Sequence, residues 1–213
     1  MGEQADQPAD SGQFGAPPTI VLPVGALMVR VHHVSRGPIF FGPLPGSKPS
    51  NRFDAPNGEY RILYASERLE GAFVETILRR PKDRILRRAF VNERAWSGLR
   101  LVRSMVLAKF HDEGLQFYGT DAGELGAEDH AISRVLAMKI HAEYKSIDGI
   151  AYRSRYNNGE ICYGIFDRIA VTDFTVTAPE RFDQNDDTVD QLMRLYRASF
   201  DTSASVPEIE PSD

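Results

Sequence analysis

Apolar and polar positions along the chain alternate, fall into helical spacing, then alternate again. Residues 19–24 and 26–32 alternate and predict two short strands. Residues 60–65 predict a third, with Ile62 and Tyr64 on one face and Leu63 and Ala65 on the other. Immediately after it, Leu69, Ala72, Phe73, Thr76 and Ile77 fall at i, i+3, i+4, i+7 and i+8, the single apolar stripe of a helix. Ser66 stands at its N-cap position, Glu67 and Glu70 suit its first turns, and Pro81 ends it. Strands are predicted over 84–91 and 99–110, then a glycine-bearing loop over 111–127. A second helix is expected over 128–144, turning Ala131, Ile132, Val135, Leu136, Met138 and Ala142 inward. Residues 149–153 and 161–166 predict strands joined through a hairpin turn at Asn158-Gly159. A strand over 170–175 and an amphipathic helix over 188–200 complete the pattern, in which strands outnumber helices.

The stretch 36–51 carries Gly37-Pro38, Gly42-Pro43, Pro45-Gly46 and Lys48-Pro49, so it continues neither a helix nor a central strand. Loops of this length serve more often as binding loops or lids than as spacers. Residues 1–18 and 201–213 are polar and rich in Gly, Pro, Ser and acids, and are expected to be disordered tails. One domain, residues 19–200, lies between them. A length of 213 residues with 42% hydrophobic and 26% charged content suits a soluble globular protein. The net charge of −5 argues against broad nucleic-acid binding, which needs a basic face, yet leaves room for a local basic pocket. No apolar run approaches the roughly 20 residues that span a bilayer. Met1 to Asp6 lack the basic start and apolar core of a signal peptide. Cys162 is the single cysteine, which excludes an internal disulfide and a cysteine-built metal site. The expectation is a cytoplasmic protein with neither membrane nor nucleic acid as a direct partner.

Chemistry narrows by elimination. His32, His33, His111, His130 and His141 show no paired ligand spacing, so no metal site is expected. Cys162 sits mid-strand as a small hydrophobe, and no G-x-S-x-G elbow, G-x-G-x-x-G turn or G-x-x-x-x-G-K loop occurs. The cationic cluster Arg79, Arg80, Lys82, Arg84, Arg87 and Arg88 reads as a solvated helix end and edge strand. Arg30 differs, because it interrupts the apolar run Leu27-Met28-Val29-Arg30-Val31, where an inward cation is costly unless paired or used. Arg52 ends the flexible loop beside Phe53. Glu75 falls off the centre of the helical stripe, near Arg68, Gly71 and Arg79, as a surface acid would. Ser154 by itself reads as a turn residue.

The run Arg52-Phe53, Leu63-Tyr64-Ala65-Ser66, Ala72 and Glu75 resembles the core of the RES domain, a family of bacterial toxins that consume NAD. Asp148-Gly149-Ile150-Ala151-Tyr152-Arg153-Ser154-Arg155 with Ile165-Phe166-Asp167 resembles its C-terminal half. The matches span about residues 28–167, and their order and spacing are the specific part. The family is named for an arginine, a glutamate and a serine. The resemblance assigns these to Arg30 or Arg52, to Glu75 and to Ser154, with Tyr64 as the pocket tyrosine. Asn51 departs from the family's usual glycine, which puts the local loop geometry in question.

The resemblance implies an α+β fold of the ADP-ribosyltransferase type, a split and mainly antiparallel β core with flanking helices. It implies NAD as a substrate rather than a cofactor, cleaved at the nicotinamide–ribose bond by hydrolysis or phosphorolysis. In that reading Glu75 stabilises the cation formed and Arg30 and Arg52 clamp phosphate or ribose. Tyr64 stacks on nicotinamide or holds its ribose, and Ser154 bonds substrate or sets Glu75. The chain would be the toxin of a type II toxin–antitoxin pair. Its partner would be an Xre-type helix-turn-helix antitoxin that blocks the pocket and supplies the DNA binding. A homodimer is compatible with this reading. Transfer of ADP-ribose to a protein is the alternative within the fold, and an inactive NAD- or partner-binding module the alternative outside it.

Overall fold

Alternating side chains at residues 62–66 go to opposite faces of a sheet, and the rest of the chain is arranged around that division. The computed structural model describes residues 15–202. Its first elements are β1 (Thr19–Leu22), β2 (Leu27–His33), β3 (Ile62–Ser66), α1 (Leu69–Thr76), β4 (Ile85–Leu86) and α2 (Arg88–Asn92). There follow β5 (Arg94–Leu101), β6 (Met105–Phe110), α3 (Glu113–Phe117), α4 (Ala122–Gly126) and α5 (Ala131–Glu143). The last are β7 (Gly149–Arg153), β8 (Ile161–Phe166), β9 (Phe174–Val176), β10 (Glu180–Arg181), α6 (Asp186–Leu195) and β11 (Ser199–Phe200).

One sheet runs β1-β6-β7-β8-β3-β2-β5-β10, with β9 also beside β5. Its neighbours are antiparallel except β6 and β7, whose parallel pairing needs the crossover that α3, α4 and α5 provide. Ile62 packs with Phe53, Phe110, Ile150 and Phe166 under α5, while Leu63 joins Met28, Leu99, Leu107 and Ile165 on the opposite face. A third apolar cluster gathers Phe73 of α1, Phe182 and Leu192 of α6. The expected faces of β3 are therefore the observed ones.

The sheet is split at its middle. β3 keeps five paired residues with β8, and β2 keeps seven with β5, but β2 and β3 pair at Val29–Ser66 alone. Beyond that point the strands part. The backbone groups of Ile62 that β2 leaves free are taken by Gly42 of the long loop, through bonds of 2.7 and 3.0 Å.

Several sequence expectations shift for physical reasons. Ser66 does not cap α1: its hydroxyl donates to the Ile161 carbonyl at 3.0 Å, and the helix starts three residues later at Leu69. It also ends at Thr76, short of Pro81. Residues 84–91 are not one strand. The two-residue β4 pairs with β11 apart from the main sheet, and α2 follows it. Residues 99–110 divide into β5 and β6 because the chain turns at Arg103, which binds the Asp148 carboxylate at 2.9 and 3.2 Å. The expected loop over 111–127 holds α3 and α4. The strand over 170–175 starts as a short 3-10 turn, and the helix over 188–200 begins at Asp186 and gives way to β11.

The helix α5 is rotated from its expected phase. It buries Ser133, Ala137 and Ile140, leaving Ile132 and Val135 more than 40% exposed. Polar Ser133 turns inward because its hydroxyl finds an acceptor there, the Arg52 carbonyl at 2.8 Å. The turn at Asn158-Gly159 is part of a wider loop closed by a Ser154 N–H to Glu160 carbonyl bond of 3.0 Å. Residues 1–14 and 203–213 of the expected tails lie outside the described residues. Pro17 is buried and the Pro18 carbonyl accepts from Lys109 N–H, so packing begins ahead of Thr19.

Gly71 sets how closely α1 approaches the sheet. A Cβ there would lie 2.1 Å from Ser66 Oγ and 3.1 Å from the Glu160 carboxylate. Gly71→Ala gains about 1 kcal/mol of helix propensity. Overpacking at such a contact costs about 1–3 kcal/mol, and the upper end applies where the clash is this short. The expected net loss is about 1–2 kcal/mol, read as a lower urea midpoint; a stabilised variant would show that α1 can move freely.

Candidate active site

Where β2 and β3 part, a cavity of about 430 Å³ opens. Its wall draws on β2, the 36–52 loop, β3, α1, the start of α5, β7 and the loop after it. Arg30, Arg52, Tyr64 and Glu75 all stand in this one wall. Ser154 does not. It is fully buried, and its Oγ accepts the N–H groups of Tyr156 and Asn157 at 3.1 and 3.2 Å. Its work is to shape the loop that places Arg155 and Tyr156 in the wall.

Arg52 is 8% exposed, although it sits on a loop. Its guanidinium lies 5.1 Å above the Tyr152 ring and 5.7 Å from that of Phe53, and Nη1 reaches the Arg153 carbonyl at 3.4 Å. The loop backbone around it is almost fully bonded. Arg134 of α5 donates to the carbonyls of Asn51 and Pro49 at 3.1–3.3 Å, while Ser133 takes that of Arg52. The buried Asp54 carboxylate accepts from the N–H groups of Ser50 and Asn51 at 2.9 and 2.7 Å. Asn51, the departure from the family's glycine, adds its own side-chain amide to Asp54 at 3.3 Å.

Asp54 also fixes Tyr64. The Tyr64 hydroxyl donates to Asp54 Oδ1 at 2.9 Å and accepts from Phe53 N–H at 3.1 Å. Burial, then the Asp54 charge, raises the Tyr64 pKa well above the ordinary tyrosine range. The phenol is thus neutral and committed, and its ring is the part free to face a ligand.

Arg30 and Glu75 carry unused polar capacity. Arg30 Nη1 donates to the Tyr64 carbonyl at 3.0 Å, spanning the split between β2 and β3. Its Nε is buried without a partner, and burial lowers the guanidinium to about 10, so it stays cationic at neutral pH. Glu75 is half-buried rather than a surface acid, and its Oε1 is likewise buried without a partner. After burial, the Glu75 charge contributes to holding Cys162 up at about 12, which keeps that thiol protonated. Cys162 is the buried small hydrophobe that the sequence suggests.

The wall's electrostatics oppose those of the whole chain. Six arginines, Arg30, Arg36, Arg52, Arg79, Arg94 and Arg155, line it, and among the described residues Glu75 is its single carboxylate. Arg79, read from sequence as part of a solvated helix end, is exposed as that reading expects and also lines this wall. His32 and His130 also line it, and burial lowers both imidazoles toward the neutral form. No group of histidine, cysteine and acidic residues that could hold a metal occurs among the described residues. Nor is any described helix long and apolar enough to cross a membrane. Sequence reasoning missed Tyr152, Arg36, Arg94 and Arg155. Tyr152 had a usable signal, as an aromatic in the same matched run as Ser154.

Asp54→Ala would strand two backbone N–H groups and the Tyr64 hydroxyl. Each orphaned buried group costs about 1–3 kcal/mol, so a loss of about 3 kcal/mol or more is expected in urea unfolding. Faster proteolytic nicking within residues 36–51 should accompany it. A variant as stable and as resistant as the parent would remove Asp54 as the loop's anchor.

With the geometry in place, the chain can be compared with known proteins. Residues 27–185 match the family model of the RES domain. No curated protein sequence matches. Among solved structures, the crystal structure of the M. tuberculosis MbcT–MbcA toxin–antitoxin complex superposes with a TM-score of 0.57 at 10% identity, over 83% of this chain and 90% of that one. At that identity the likeness concerns fold. The split antiparallel core has the α+β, ADP-ribosyltransferase-like architecture that the sequence resemblance implies. Spanning 159 of 213 residues, the family match and this shared core make the chain a member of the RES domain family.

Proposed function

We propose that this chain is the toxin of a toxin–antitoxin pair and that its cavity consumes NAD by breaking the nicotinamide–ribose bond. The observation that carries the reading is Glu75 Oε1, buried without a partner in a wall whose other charged residues are arginines. A buried charge without a partner is costly in the free protein and is retained where a ligand or transition state uses it. Anionic phosphates suit the guanidiniums of Arg30 and Arg52, whose planar forks pair with phosphate oxygens. A cation developing on the ribose suits Glu75.

In this reading the bond from ribose C1′ to the nicotinamide nitrogen breaks and its electron pair leaves with neutral nicotinamide. The ribose becomes oxocarbenium-like, as in glycoside cleavage. Glu75 opposes that positive charge, and the ring of Tyr64 stacks beside nicotinamide. Water then adds to C1′, releasing ADP-ribose and a proton, or phosphate adds in its place. Ser154 acts only through the loop bearing Arg155 and Tyr156. Family membership and the fold of the MbcT–MbcA complex support an antitoxin as the partner, and an Xre-type helix-turn-helix protein is our choice.

Purified chain incubated with NAD, with and without phosphate, should release nicotinamide. Glu75→Gln should cut turnover by about 10²–10³, the usual loss of one preorganised electrostatic partner. NAD affinity should change far less, because little of that charge exists in the ground state. Melting temperature should change little, since the amide keeps the shape of a half-buried side chain. Turnover within a few-fold of the parent would end this role for Glu75. Arg52→Ala should weaken NAD affinity by about 10–100-fold, the equivalent of about 1.5–3 kcal/mol for a desolvated charge-assisted contact. Unchanged NAD affinity in a folded Arg52→Ala protein would remove Arg52 from the site.

A further inference from the structure

The cavity holds more cationic groups than the phosphates of NAD require. NAD carries two phosphate charges, and Arg30 and Arg52 supply two guanidiniums for them. At the far end of β2 a second cationic group faces the same cavity. His33 and Arg94 are register partners across β2 and β5, and Arg36 follows in the turn. Arg30 stands three residues earlier on β2, so at about 3.3 Å per residue the two backbone positions lie about 10 Å apart, their side chains leaving from opposite faces of the strand. That separation is on the scale of one nucleoside.

The far group is built for a ring carrying an anion. The Arg36 guanidinium lies 5.6 Å from the Phe40 ring centroid, and Phe40 also lines the cavity. Arg36 makes no ion pair among the described residues. His33 Nδ1 accepts from Ser35, whose hydroxyl lies at 2.7 Å and whose N–H lies at 3.1 Å, which leaves Nε2 as the ring's donor. Glu93 lies 3.8 Å from His33 Nε2 and 3.6 Å from Arg94, offsetting part of the Arg94 charge, but it lies outside the cavity wall. Dinucleotide sites that take an unphosphorylated adenosine ribose place a carboxylate on its 2′-hydroxyl, whereas sites for the 2′-phosphate place an arginine there. Among the described residues Glu75 is the single carboxylate in this wall, and it belongs to the reaction end.

We infer that Arg36, Arg94 and His33 form a subsite for a phosphate monoester on the adenosine ribose, so the cavity prefers the 2′-phosphorylated dinucleotide, NADP, over NAD. The inference rests on the proposed dinucleotide chemistry of the same cavity. Arg36 stacks against adenine and pairs with the 2′-phosphate, while Arg94 adds charge and His33 offers its Nε2–H as a donor.

Calorimetry on the full chain with adenosine 2′,5′-bisphosphate and with 5′-AMP tests it, since neither ligand has a nicotinamide bond to lose. The bisphosphate should bind about 10–100-fold more tightly, as one or two charge-assisted contacts provide. Arg36→Ala should bring that ratio to within a few-fold of one, and Arg36→Lys should restore it in part, the point charge without the planar fork. In turnover, NADP should show the higher kcat/KM. Equal binding of the two nucleotides overturns the subsite. So does NAD turnover accelerated by inorganic phosphate with no gain from the 2′-phosphate, which would make the dianion a free co-substrate. Tight, Arg36-dependent bisphosphate binding with neither dinucleotide consumed would support the subsite while removing the proposed reaction.

Discussion

The site depends on one interruption in a hydrogen-bond ladder. β2 and β3 share a single paired position, Val29 with Ser66, and then diverge. Diverging strands leave backbone donors and acceptors that must find partners elsewhere, since an unpaired buried group costs as much as a lost hydrogen bond. Two partners take them. Gly42 of the 36–51 loop pairs with Ile62, and the Arg30 guanidinium takes the Tyr64 carbonyl. The gap therefore becomes a cavity floored by an arginine instead of a defect. A hydrophobe at residue 30 would suit the surrounding strand better and would leave that carbonyl without its donor.

A cavity lined by a loop still needs the loop held in place, and here the loop is held by its backbone. Ser133 and Arg134 of α5 take its carbonyls, and Asp54 takes its N–H groups. Asp54 then passes the constraint to β3 through Tyr64. A residue ending a Gly/Pro-rich loop is expected to move, yet Arg52 is buried and oriented as firmly as a strand residue. Pre-orientation of this kind is what lets a guanidinium contribute to affinity, because little rotamer freedom remains to be lost on binding. It also explains the rotation of α5, whose first turn faces the loop's carbonyls with polar groups.

The parts legible in the sequence were those in which one local rule decides the outcome. Alternation in residues 62–66 gave the two faces of β3, and the spaced motifs brought Arg30, Arg52, Tyr64 and Glu75 to one wall. What escaped was decided by long-range partners. Ser66 carries every mark of an N-cap, but the Ile161 carbonyl, 95 residues away, takes its hydroxyl. Ile132 and Val135 look like the inward side of α5 until Ser133 is seen to bond Arg52 across 81 residues. The role of Ser154 could not be read from its motif, because a family's serine can serve the fold as well as the substrate. Glu75 was legible as off the apolar stripe but not as half-buried, since the groups that feel its charge, Tyr152 of β7 and Cys162 of β8, lie far away in sequence.

Charge shows the same division between local and global reading. A chain of net charge −5 carries a cavity wall with six guanidiniums and one carboxylate. Composition averages over the whole surface, and a ligand meets only the wall, where burial strengthens the charges of Arg30 and Arg52. The same confinement gives Arg30 Nε and Glu75 Oε1 their cost, because neither has a partner among the described residues. Replacing both by apolar groups would relieve that cost and fill the gap. Their retention in one wall makes sense if something absent from the free chain satisfies them, with anionic groups for the arginine and a positive centre for the glutamate. A dinucleotide that is anionic along its phosphates and becomes cationic at one ribose carbon meets both demands in a single molecule. An acidic peptide meets the first alone.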